Sequence, residues 1–159
     1  MNFRVGFGFD VHRLETGYDL TIGGIIIPHT TGSVGHSDGD VLIHAICDAL
    51  LGAASLRDIG IHFPDTDNSL KGIDSKIILS ETMKLIRGKG YRIGNVDSTI
   101  CLQAPKIKDF IPEMCNVLAP ILEIPVDDIS VKATTTEKMG FIGKEEGLSA
   151  YAIVLIFKE

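Results

Sequence analysis

A chain of 159 residues with 45% hydrophobic content can bury a core of its own, and residues 1–159 read as a single domain. The formal net charge of −6 excludes a general binder of nucleic acid, which needs a basic surface to displace counterions. No apolar run approaches the roughly 20 residues of a membrane span, the start lacks the blocks of a secretion signal, and Cys47, Cys101 and Cys115, widely spaced and without a CxxC pair, read as reduced thiols of a reducing compartment.

The first predicted strand is the apolar run Phe3 to Phe9, which ends in Asp10-Val11-His12. Residues at i and i+2 of an extended chain point to one face, so this strand end presents a carboxylate and an imidazole together. Taken alone, the pair reads more readily as a capped turn than as metal ligands. Leu20 to Pro28 holds two short apolar runs about Gly23-Gly24, a hairpin. Thr30 to Gly35 is turn-rich and leads to His36-Ser37-Asp38-Gly39-Asp40, where Ser37 or Asp38 can cap the helix that follows. That helix carries Leu42, Ala45, Ile46, Ala49 and Leu50 at helical spacing, with Asp40, His44 and Asp48 on the opposite stripe. Asp10, His12 and His44 together make a three-ligand set with a fourth tetrahedral position open, the pattern of a catalytic zinc site rather than a closed structural one. Asp48, one turn from His44, is the candidate to fix that imidazole's tautomer.

Asp58 to Ser69 has little periodicity and many turn formers, a loop long enough to carry function. Asp74 or Ser75 caps a second helix, which Gly88-Lys89-Gly90 stops. Tyr91 to Leu102 is a long strand running into Gln103-Ala104-Pro105-Lys106, where proline interrupts the ladder. Phe110 to Leu122 is a third helix with Pro112 in its first turn. After the strand Ile129 to Ala133 stands Thr134-Thr135-Thr136-Glu137, where the chain passes into a turn or short helix; hydroxyls at such a start suit phosphate oxygens, with Glu137 placed for a hard cation. The competing reading there is a plain N-cap with glutamate in the first turn. Gly147 to Phe157 closes the chain as a strand, and the alternation of strands with helices predicts an α+β fold, ferredoxin-like, with helices on one face of the sheet.

Six segments carry a resemblance: Gly8-Phe9-Asp10-Val11-His12, His36-Ser37-Asp38-Gly39-Asp40, Asp58-Ile59-Gly60, Phe63-Pro64-Asp65-Thr66-Asp67, Gln103-Ala104-Pro105-Lys106 and Lys132-Ala133-Thr134-Thr135-Thr136-Glu137-Lys138. In this order they resemble the 2-C-methyl-D-erythritol 2,4-cyclodiphosphate synthase family of non-mevalonate isoprenoid biosynthesis. The resemblance implies a cytoplasmic homotrimer, or one in a plastid-type organelle after loss of a transit peptide, with active sites between subunits. It implies a substrate of cytidine, a diphosphate and a 2-phosphorylated methylerythritol, whose 2-phosphate attacks the β-phosphorus and expels CMP. Asp10, His12 and His44 would hold one zinc ion per subunit, and Glu137 a magnesium or manganese ion on the diphosphate. His36 and Thr135 would stabilise the transition state. Ser37, Asp58, Ile59, Gly60, Phe63, Pro64, Asp65, Thr66 and Asp67 would hold the methylerythritol phosphate, with Asp10, His12 and His36 adjoining it. Leu102, Gln103, Ala104, Pro105, Lys106 and Ile107 would hold the cytidine and its phosphates, with Ala133, Thr134, Thr136, Phe141 and Lys144 completing the contacts.

One segment departs from the family pattern. Gly143-Lys144-Glu145-Glu146-Gly147 stands where relatives often have Gly-Arg-Gly-Glu-Gly, whose arginine lines an axial cavity that can take an isoprenoid diphosphate. Lysine keeps the charge and loses the planar fork. No side-chain nucleophile is required, because nucleophile and leaving group belong to one substrate that must be folded together, with divalent cations screening the phosphates. Two other readings stay open on sequence: a metal-dependent phosphohydrolase using water, and a silent trimeric module that binds diphosphates.

Overall fold

The computed structural model describes residues 2–158. Its strands are β1 (Asn2–Thr16), β2 (Leu20–Ile22), β3 (Ile25–Ile27), β4 (Thr31–Val34), β5 (Arg92–Cys101), β6 (Ile129–Thr134) and β7 (Gly147–Lys158). The helices are α1 (Val41–Ala53), α2 (Ile59–His62), α3 (Ser75–Gly88), α4 (Ile111–Leu122) and α5 (Gly140–Gly143). One sheet runs β4-β1-β7-β5-β6, and β2 and β3 form a separate hairpin. Neighbours in the large sheet are antiparallel except β5 and β6, which lie parallel with α4 between them in the chain.

The α+β class is as expected, and the ferredoxin-like arrangement is not adopted. That arrangement splits each β-α-β unit by inserting a strand, whereas β5 and β6 pair directly here. The long C-terminal β7 pairs instead with β1 on one side and β5 on the other. The turn-rich stretch before His36 also differs from expectation, because Thr31–Val34 pairs with Arg13 to Thr16 as an edge strand. Its Gly32 has no room for a side chain: a Cβ there would stand 2.2 Å from the Asp19 backbone.

β1 divides its residues strictly by parity, as an extended chain must. Gly6, Gly8, Asp10, His12 and Leu14 face the helices, and Phe3, Val5, Phe7, Phe9 and Val11 face away, 43% to 67% exposed. Helix α1 lies across the inner face of β1 and β7. It comes unusually near because Gly6 and Gly8 offer no side chains: a Cβ on either would fall 1.9 Å from the carbonyl oxygen of Ala49 or Ala45. Small residues on both partners therefore set the distance from His44 on α1 to Asp10 and His12 on β1. Helix α3 packs on α1, and α4 covers α3 and β6, giving one continuous apolar core that includes Ile46, Leu50, Leu79, Ile86, Met114 and Val154.

Candidate metal centre

The N-terminus of α1 is held by Asp40, which is fully buried. Its carboxylate accepts from Ile43 N–H at 3.0 Å as the helix cap, and from Gly23 N–H at 3.0 Å and Gly24 N–H at 2.6 Å in the β2–β3 turn. Burial pushes this carboxyl up to about 6, the three N–H groups opposing and the charge of Asp38 adding to the rise. The cap is thus Asp40 and not Ser37 or Asp38, which are released for other partners.

One turn into α1, His44 meets the end of β1. Asp10 Oδ2 lies 2.9 Å from His12 Nε2 and 3.1 Å from His44 Nδ1, and the two imidazole nitrogens are 3.2 Å apart. Ligands about 2.0–2.1 Å from a tetrahedral zinc ion stand about 3.3–3.4 Å from one another, so this set closes on zinc with outward shifts of a few tenths of an ångström. Among the described residues it is the one group of three or more potential ligands. The second nitrogen of each ring is engaged by protein: His12 Nδ1–H donates to the Val34 carbonyl at 2.9 Å, and His44 Nε2 lies 2.9 Å from Ser75 Oγ and 3.1 Å from Ser37 Oγ. Burial works against the charge of Asp10, and the close imidazoles of His12 and His44 outweigh it, holding this carboxyl at about 2. For His12 burial likewise opposes the charge, and Asp10 with the Val34 carbonyl raises its pKa.

The triad opens into a cavity of about 380 Å³ lined by Asp10, His12, His36, Ser37, His44, Ile59, Gly60, Phe63, Asp65 and the apolar Leu70, Ile73 and Ile78. His36 Nε2–H reaches the Asp67 carbonyl at 2.9 Å, and Gly72 N–H donates to the His36 carbonyl at 2.7 Å, so the loop from Phe63 to Asp74 is tied over the cleft. Asp58 caps α2 by accepting from Ile61 N–H at 3.1 Å. Pro64, Thr66 and Asp67 belong to the same loop without lining the cavity. Asp48 does not serve His44. Its carboxylate accepts from Ile59 N–H at 3.2 Å, which turns it toward α2, and burial raises its pKa.

A second cavity of about 160 Å³ is lined by Leu102, Gln103, Pro105, Lys106, Ile107, Lys108, Ala133, Thr134 and Thr135, with Ala104 joined to Pro105 by a cis peptide. Of the turn or short helix expected after β6, the chain takes the turn: Glu137 and Lys138 have left-handed φ of 53° and 62°, and α5 begins only at Gly140. Lys138 N–H donates to Gln103 Oε1 at 3.1 Å, tying this turn to the Gln103 loop. Thr136 Oγ1 donates to the Met139 carbonyl at 2.7 Å. Phe141 and Lys144, at and just beyond α5, line neither cavity. The two cavities are separate in one chain. Asp10, Ala150, Ile100 and Ala133 form one row across β1, β7, β5 and β6, three strand spacings or about 14 Å.

A family model described as the YgbB family matches residues 3–157. The chain belongs to the YgbB family. The 2-C-methyl-D-erythritol 2,4-cyclodiphosphate synthase of Phocaeicola vulgatus is 66% identical over 158 residues, 99% of each chain. Among solved structures, the bifunctional IspDF of Campylobacter jejuni matches 97% of this chain with a TM-score of 0.93 and 42% identity, and this chain spans 42% of it. IspF of Plasmodium falciparum, solved as a CDP complex, matches 99% of this chain and 97% of its own with a TM-score of 0.87 and 35% identity.

In this YgbB chain the cleft also uses residues that spacing alone does not reveal. Ser75 reads in the sequence as a helix cap, and its hydroxyl instead meets His44 from a helix 31 positions away. Asp38 is as remote from Ser75 in sequence, and it accepts both Ser75 Oγ–H and, at 2.9 Å, Ser75 N–H. Leu70, Ile73 and Ile78 supply the apolar wall. Only the pairing of α1 with the start of α3 brings these groups together, and no local pattern encodes it.

Proposed function

We propose that this protein converts 4-diphosphocytidyl-2-C-methyl-D-erythritol 2-phosphate into 2-C-methyl-D-erythritol 2,4-cyclodiphosphate and CMP, in the bacterial cytoplasm. The observation that carries the reading is the convergence of Asp10, His12 and His44 on one point at the mouth of a cavity, in a chain so similar to named synthases. A zinc ion there, with magnesium or manganese at Glu137, would supply Lewis-acid polarisation of the phosphoryl oxygens.

The remaining work falls to the chain's own groups. Ser37, His36 and the Asp58 to Asp67 loop would orient the methylerythritol phosphate in the larger cavity, with Phe63 and Ile73 excluding water from the attack. The smaller cavity would seat the cytidine, Lys106 and Lys108 pairing with its phosphates and Thr135 donating to the developing charge. Fixing both ends of one flexible molecule turns the attack into a positioned intramolecular step.

The two half-sites, about 14 Å apart along the sheet, are best completed by neighbouring chains. The outer sheet face supports that assembly: Val5, Phe7, Phe9, Tyr151 and Ile153 form a contiguous apolar surface, with the Phe9 and Tyr151 ring centroids 5.1 Å apart. A homotrimer would bury it. Lys144 would stand near the trimer axis as the cation for an isoprenoid diphosphate.

Phosphorus NMR of the products from the cytidylyl substrate tests the activity. A cyclic diphosphate with CMP is expected. A linear phosphate formed with water would establish the phosphohydrolase instead, and unchanged substrate the binding module.

A further inference from the structure

His44 presents Nδ1 to the metal position, which demands that its single ring hydrogen sit on Nε2. Nothing in the imidazole itself ensures this, and Asp10 works against it. Asp10 Oδ2, 3.1 Å from His44 Nδ1, would readily accept a hydrogen from that nitrogen and close the ligand position. Two hydroxyls adjoin Nε2, and either can donate or accept.

We propose that Asp38 and Ser75 are a positioning pair that fixes the metal-binding tautomer of His44. Asp38 Oδ2 is held by Ser75 N–H at 2.9 Å, and Asp38 Oδ1 by Asp40 N–H at 3.2 Å and by the Ser75 hydroxyl. A carboxylate accepts only, so the Ser75 hydrogen is committed to Asp38 and the lone pairs of Ser75 Oγ face His44. Ser75 Oγ, 2.9 Å from Nε2, must therefore accept, which places the ring hydrogen on Nε2 and leaves Nδ1 free as a ligand. The chain carboxylate, hydroxyl, imidazole, metal position does for His44 what the Val34 carbonyl does for His12.

The same chain frees Ser37. With His44 Nε2–H already accepted by Ser75, the Ser37 hydroxyl keeps its hydrogen for a ligand in the cleft, while its oxygen accepts from Gly39 N–H at 3.3 Å. Ser37 and Ser75 thus divide the labour, one toward bound phosphate and the other toward the metal ligand. Ser75 is fully buried and cannot itself reach a ligand.

The proposal rests on the zinc reading of the triad, and the test separates the two. Zinc affinity of the whole protein is measured by chelator competition for wild type, Ser75→Ala, Asp38→Asn, the double variant and Ser37→Ala, beside the His44 tautomer in metal-free protein by nitrogen-15 NMR. Ser75→Ala keeps the backbone bond to Asp38, so the start of α3 is preserved. It is expected to weaken zinc binding about 10- to 100-fold and to move hydrogen from Nε2 to Nδ1. Asp38→Asn is expected to act in the same direction, the double variant to lose no more than Ser75→Ala alone because the groups act in series, and Ser37→Ala to stay within about threefold of wild type on the same scale. Wild-type zinc affinity in Ser75→Ala with its ring hydrogen still on Nε2, or additive losses in the double variant, would overturn the proposal. Wild-type protein that takes up no zinc would overturn the metal reading, and the tautomer measurement, which needs no metal, would then decide on Ser75 by itself.

Discussion

His12 and His44 meet Asp10 through different ring nitrogens, Nε2 for one and Nδ1 for the other, because one ring projects from a strand and the other from a helix lying over it. The proposed zinc and a proton would compete for the same His12 nitrogen, and against the effect of burial Asp10 favours the proton by raising the imidazole's pKa. In metal-free protein that interaction stabilises the fold fully below the unfolded value of about 6.5 and is lost as pH rises through the higher folded value. Zinc binding runs the other way, since a proton on Nε2 excludes the metal. The increase in melting temperature on adding zinc is therefore expected to shrink as pH falls from 8.5 to 6, and an increase that is constant over that range would remove His12 from the ligand set. Cys47, by contrast, is chemically silent: burial pushes its thiol up to about 12.

Between β1 and α1 the controlling feature is the absence of side chains. An alanine at Gly8 would put its Cβ 1.9 Å from the Ala45 carbonyl oxygen and 2.6 Å from Ala49 N, and only a retreat of α1 relieves that. Gly8→Ala is expected to cost about 1–3 kcal/mol and to weaken zinc binding, because His44 travels with its helix. Gly52→Ala, near the end of the same helix where an added Cβ meets nothing within 4 Å, is expected to be neutral or to stabilise by about 0.5–1 kcal/mol. Chemical denaturation with zinc titration checks both, and equal behaviour of the two variants would refute the close-approach account. The elements most legible in the sequence were those with a long period: α1, α3, α4 and the strands β5 and β7 lie within a few residues of their predicted bounds. What escaped was decided by distant partners. Thr31–Val34 carries no strand pattern and is ordered by its pairing with β1, and Asp40 becomes the cap of α1 because the Gly23-Gly24 turn brings two further N–H groups to it. Strand order was equally hidden, since β7 reaches its central place through pairings with residues far upstream.

For the molecule as a whole, the proposed composite site would take its metal ligands from one chain and its nucleotide pocket from a neighbour. Metal binding and turnover should therefore separate when assembly fails. Tyr151→Asp puts a charge in the middle of the apolar outer face, where Phe7 and Phe9 flank the ring at 6.3 Å and 5.1 Å. Sedimentation is expected to give about three times the 17.2 kDa chain mass for wild type and a single chain for this variant, with zinc retained and turnover lost. A wild-type monomer with full turnover would sink the composite site. The triad itself was readable from spacing, while the separation of the two cavities within one chain was not, because it depends on the order of strands between them. Alternation along β1 has one more consequence: the strand carries Asp10 and His12 on one side and the apolar outer surface on the other, so its phase is fixed twice over. Inserting a single residue between Val5 and Gly8 would swing Phe7 toward the helix and leave the carboxylate and imidazole stranded outdoors, or else push the upstream half out of step; one such lesion would cost the triad and the apolar outer face together.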